Sequence, residues 1–88
     1  MASETDWRFA LAKRLKGERL QFKQYHSRPG WDHDHCVACW QKLAEWDGPD
    51  IVHEGYTTLP DYKFGEGYHW VCQQCFSELG ELMEWTSN

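Results

Sequence analysis

Trp7, Leu11, Leu15, Phe22 and Tyr25 fall within one stripe at 3.6-residue spacing, and Arg8, Lys16, Arg19 and Lys23 gather on the adjoining face. This pattern predicts a basic amphipathic helix within residues 1–28. Ser3 or Thr5 can cap it, with Glu4 and Asp6 favourably placed in the first turn. Gly17 weakens its middle by about 1 kcal/mol relative to alanine. The run His26-Ser27-Arg28-Pro29-Gly30 ends it, because Pro29 disfavours helical geometry at Arg28 and Gly30 permits a turn. A second unit, residues 31–88, follows that break.

Within the second unit the period changes. Trp40 to Trp46 reads as a short helical turn, stopped by Asp47-Gly48-Pro49-Asp50. Residues 51–58 and 68–71 read as two strands, joined by a loop over 59–67 that holds Pro60, Gly65 and Gly67. From Gln73 to about Trp85 the pattern is helical again, with Phe76, Leu79, Leu82 and Met83 on the side that carries Cys75.

All four cysteines of the chain lie in two matched pairs, Cys36-Val37-Ala38-Cys39 and Cys72-Gln73-Gln74-Cys75. A C-x-x-C turn aims two thiolates at one point, and two such turns complete a tetrahedron around Zn²⁺. The spacing predicts one structural Zn²⁺ held by Cys36, Cys39, Cys72 and Cys75. At this length the core is thin, and structural zinc contributes an apparent 10–16 kcal/mol, roughly enough to decide whether the bound part folds. Disulfides are the competing use. Charged residues interrupt the apolar ones from Met1 to Leu20, so no signal peptide is evident and a cytoplasmic, reducing setting is expected. No stretch is apolar enough to span a membrane.

A C-x-x-C knuckle, a hairpin, and a second C-x-x-C opening a terminal helix together resemble the treble-clef zinc finger. The resemblance covers residues 36–85 and is carried by the four cysteines. It implies a small metal-stabilised α+β domain. The stretches Glu54-Gly55-Tyr56-Thr57 and Tyr68 to Phe76 are also similar to small bacterial proteins of unknown function, a likeness that implies no activity. A zinc ribbon also uses two knuckles, but it closes with strands, whereas residues 76–85 look helical.

Asp32-His33-Asp34-His35 resembles the Asp-His-Asp-His run of treble-clef nucleases. In those proteins the run lies between the cysteine pairs, whereas here it precedes the first, so catalytic roles do not transfer and no enzyme activity is expected. Asp32 and Asp34 can accept turn hydrogen bonds, with the histidines oriented on them. A second metal on His33, His35 and a carboxylate is an alternative. His35 and His69, beside the cysteine pairs, are expected to orient ligands rather than to bind metal.

Charge adds an asymmetry. Residues 1–30 hold seven basic side chains against three acids, and residues 31–88 hold two against eleven, which leaves +4 and −9. Six tryptophans are many for so small a core. Trp40, Trp70 and Phe76 are placed to wall off the metal, while Trp31, Trp46, Trp85, Tyr62 and Phe64 cannot all be buried. An acidic, aromatic-rich surface predicts a non-enzymatic module that binds another protein, as an inhibitor, accessory or immunity-type protein would. The alternative is nucleic-acid binding through Lys16, Arg19 and Lys23. A metal-dependent nuclease ranks third.

Overall fold

A computed structural model describes residues 6–87. The first element, α1, is short: Trp7–Ala12, followed by a 3₁₀ turn at Lys13–Leu15. Its cap is Asp6, whose carboxylate accepts from the Arg8 backbone N–H at 2.9 Å. Ser3 and Thr5, the caps expected from sequence, lie outside the described residues.

The predicted helix does not continue to residue 28. Gly17 adopts a left-handed φ of 81° and donates its N–H to the Met83 carbonyl at 2.8 Å, which turns the chain away from the helical path. Arg19–Gln24 is then a strand, β1. Its apolar residues Leu20 and Phe22 are two apart, a spacing that suits a pleated strand. Leu20 enters the core, and Phe22 packs edge-on against Tyr56 at 5.2 Å.

The remaining elements are β2 (His33–His35), β3 (Lys42–Ala44), β4 (Ile51–Val52), β5 (Glu54–Thr58), β6 (Trp70–Val71), α2 (Gln73–Met83) and β7 (Thr86–Ser87). They form two sheets. The larger has the order β6-β5-β1-β7, with β1 antiparallel to β5 (Phe22 opposite Tyr56) and β5 antiparallel to β6 (Tyr56 opposite Val71). The smaller has the order β2-β3-β4, with Asp34 opposite Leu43. The short helical turn expected from Trp40 to Trp46 is therefore wrong. Leu43 needs the strand to reach a small core shared with Tyr25 and Trp70.

Helix α2 ends as a Schellman turn. Glu84 takes a left-handed φ of 61°, its N–H bonds the Glu81 carbonyl, and the Trp85 N–H bonds the Gly80 carbonyl at 2.9 Å. Trp85 then folds back, and its indole N–H donates to the Leu15 carbonyl at 2.9 Å. The main core joins Ala12, Leu15, Leu20, Val71, Leu79, Met83 and Trp85 with the cysteines, so the chain before residue 30 shares the core of the cysteine unit.

Buried threonines hold the loop between β5 and β6. Thr57 Oγ1 donates to the His69 carbonyl at 2.6 Å. Thr58 Oγ1 donates to the Gly65 carbonyl and accepts from the Tyr68 N–H, each at 2.9 Å. These bonds satisfy backbone groups that β-ladder pairing leaves open. They also fix the approach of β6 to the second cysteine pair.

Candidate metal centre

The two C-x-x-C segments meet because β6 grips the first of them. The Val37 N–H donates to the Trp70 carbonyl at 2.8 Å, and Cys36 and Trp70 form a parallel bridge. The first turn closes on itself, with Cys36 N–H to Gln41 carbonyl at 2.8 Å and Trp40 N–H to Cys36 carbonyl at 2.9 Å. Two residues after Trp70, Cys72 occupies the N-cap of α2 and Cys75 lies in its first turn.

The four sulfurs converge. One Sγ from each of Cys36, Cys39, Cys72 and Cys75 lies within 4.8 Å of every other, and Cys39 Sγ is 3.6 Å from Cys72 Sγ. Zn–S bonds of about 2.3 Å in a tetrahedron set the sulfurs about 3.8 Å apart, so the set is compatible with a zinc ion. No disulfide forms among them.

The surroundings suit thiolates. Backbone N–H groups of Ala38 and Cys75 point at the sulfurs of Cys36 and Cys72, at 3.4 and 3.5 Å. The N-terminus of α2 adds its positive end. Arg8 places Nη1 3.7 Å from Cys75 Sγ while pairing with Glu78 (2.7 Å) and Asp6 (2.8 Å). The same guanidinium holds the Asp6 carboxyl down at about 2. Four thiolates holding one Zn²⁺ would carry a charge of about −2, which Arg8 and the helix end would offset.

Crowding divides the thiols when no cation is present. Hydrogen bonding from Cys72 and Cys75 pulls the Cys36 thiol down, and hydrogen bonding to Cys36 pushes Cys72 and Cys75 up. A divalent cation removes the conflict by stabilising all four thiolates together. Four sulfurs from two C-x-x-C segments make a set compatible with one tetrahedral zinc ion.

Other expected contributors fall elsewhere. Phe76 packs against the core that contains the cysteines and stacks on Tyr56 at 3.7 Å, but Trp70 sits in the smaller core with Tyr25 and Leu43. Trp40 does not cover the cysteine cluster as expected. Its side of the turn faces outward, and the residue is 65% exposed. His35 and His69 do not join the sulfurs; His35 packs on Trp40 at 5.1 Å and His69 on Tyr68 at 4.7 Å.

Among the described residues, Asp32–His35 does not gather three metal-ligating atoms at one point. His33 Nδ1 donates to Asp32 Oδ1 at 2.7 Å, and Asp34 accepts from the Trp31 indole N–H at 3.1 Å. The basic face predicted for nucleic acid is also dispersed. Lys16 follows the 3₁₀ turn, Arg19 and Lys23 lie on β1, Lys23 pairs with Glu66 at 3.0 Å, and Arg8 faces the sulfurs. No described helix is long and apolar enough to cross a membrane.

Sequence reasoning missed Arg8 as a neighbour of the metal set, because nothing local links residue 8 to residue 75. Compared with protein-family models, curated proteins and solved structures, the chain matches none, and the four-cysteine cluster compatible with zinc stands on its own geometry.

Proposed function

We propose that this chain is a non-enzymatic, cytoplasmic protein-binding module built on a treble-clef-like scaffold with one structural Zn²⁺. The observation that carries the zinc is the convergence of four sulfurs within 4.8 Å, from one knuckle and one helix N-terminus. The order of elements supports the treble-clef reading. A knuckle at Cys36–Cys39 precedes the antiparallel pair β5–β6, and Cys72 and Cys75 then open α2.

A closed four-thiolate site offers no position for substrate, so the ion serves folding and the activity lies on the surface it holds in place. Eleven acids against two basic residues over 31–88, together with exposed tryptophans, support a protein partner with a basic face. Native mass spectrometry of the protein isolated from its own cells tests both halves. One zinc per chain and one stoichiometric protein partner are expected. A metal-free chain would overturn the scaffold, and nucleic acid as the sole companion would overturn the partner.

A further inference from the structure

The four sulfur-bearing residues are not equally covered. Cys36 is 1%, Cys72 5% and Cys75 0% exposed, whereas Cys39 is only half-buried. Trp40, its neighbour in the chain, turns outward and leaves it uncovered. A surface pocket of about 250 Å³, lined by Asp6, Trp7, Arg8, Cys39, Gln74 and Cys75, reaches the cluster. Within it Cys75 is shielded, since the Arg8 guanidinium stands 3.7 Å from its sulfur. A small solute entering the pocket meets Cys39 first.

A second sulfur stands beside the first. Cys72 Sγ lies 3.6 Å from Cys39 Sγ, which is van der Waals contact for two sulfurs. The two come from different C-x-x-C segments, and Cys72 is the N-cap of α2. A bond between them takes one ligand from each segment. Cys36 and Cys75 are then left, half the donor set of a tetrahedral zinc site. An accessible sulfur of thiolate character beside a second cysteine is the arrangement that peroxides oxidise reversibly.

We propose that Cys39 is an oxidation site for hydrogen peroxide, and that a Cys39–Cys72 disulfide formed there opens the metal centre. The Cys39 sulfur attacks one peroxide oxygen. The S–O bond forms, the O–O bond breaks and hydroxide leaves, which oxidises Cys39 to a sulfenic acid. The Cys72 thiolate then attacks the Cys39 sulfur. The S–S bond forms, the S–O bond breaks and a second hydroxide leaves. Two thiolates have lost two electrons, and one peroxide has been reduced to two hydroxides. The inference rests on the zinc reading above. In a reducing cytoplasm such a disulfide is transient, which suits a reversible response.

The test treats the zinc-loaded full chain with substoichiometric hydrogen peroxide. Dimedone traps the first sulfenic acid, and peptide mass spectrometry locates it. Without dimedone the same digest locates the disulfide, while a chromogenic chelator reads released zinc. Dimedone on Cys39, a Cys39–Cys72 disulfide and zinc release that tracks it are expected, all reversed by a thiol reductant with fresh zinc. Cys39→His keeps a zinc-binding side chain and should lose zinc to peroxide several-fold more slowly than wild type. First labelling on Cys36, Cys72 or Cys75 would overturn the inference. So would a disulfide within either C-x-x-C segment, zinc retained by the oxidised chain, or a zinc-loaded Cys39→His that responds as fast as wild type. If Cys39→His holds no zinc, the labelling order in the wild-type chain decides alone. A wild-type chain that carries zinc but is oxidised elsewhere first would leave the zinc reading standing, whereas a folded chain without zinc would overturn both.

Discussion

Arg8 Nη1 lies 3.7 Å from Cys75 Sγ, across 67 residues of chain, and it is the one guanidinium that bonds a sulfur among the described residues. The contact ties the N-terminal helix to the metal set and offsets the charge that four thiolates concentrate there. Removing such a supporting group weakens a metal site by about 10–100-fold. Arg8→Gln should therefore release zinc to a chelator roughly tenfold faster or more, with Arg8→Lys retaining part of the effect. A chromogenic chelator assay measures this directly. Equal release rates in all three proteins would show that Arg8 only anchors Asp6 and Glu78.

Gly55 should be intolerant of any side chain. A Cβ there would sit 2.8 Å from the Val71 carbonyl oxygen and 3.3 Å from Leu43 Cδ2. The carbonyl belongs to β6, which cannot retreat without shifting the adjoining Cys72. Gly55→Ala should cost about 1–3 kcal/mol, the usual cost of overpacking, and should lower zinc affinity as well. Chemical denaturation and a zinc competition titration read the two effects separately.

Tyr25 carries a defect that substitution can repair. Its ring is buried against Trp70 at 5.2 Å, but the hydroxyl has no hydrogen-bond partner. Burial accordingly pushes its pKa above 10.0. An unpaired buried polar group costs about 1–3 kcal/mol, so Tyr25→Phe should be neutral or raise stability by about 1 kcal/mol. A midpoint that falls by a comparable amount in urea would show that the hydroxyl is bonded in solution.

The metal set was legible because C-x-x-C is a local geometry, and two copies at this spacing need only one contact, Val37 to Trp70, to meet. Helix α2 was legible for the same reason, since its period is unambiguous over its own length, whereas the single strand expected over 51–58 divides at His53 into β4 and β5, which belong to different sheets. Strand β1 was not legible. Leu15, Phe22 and Tyr25 suit a helix, Leu20 and Phe22 suit a strand, and the decision comes from β5, where Thr58 faces Leu20. The Trp40–Trp46 segment failed similarly, because Leu43 becomes a strand residue only once Tyr25 and Trp70 are in place. The outward turn of Trp40 depends on a φ of 67° that no side-chain pattern announces.

Metal removal tests the central claim most directly. An amide ¹H–¹⁵N correlation spectrum is recorded on the reduced chain after chelation, and again as zinc is titrated back. Collapse of the dispersed resonances without metal, and their full return at one equivalent of zinc per chain, is the predicted result. A metal-free chain that keeps its dispersed spectrum with every thiol alkylated would contradict it.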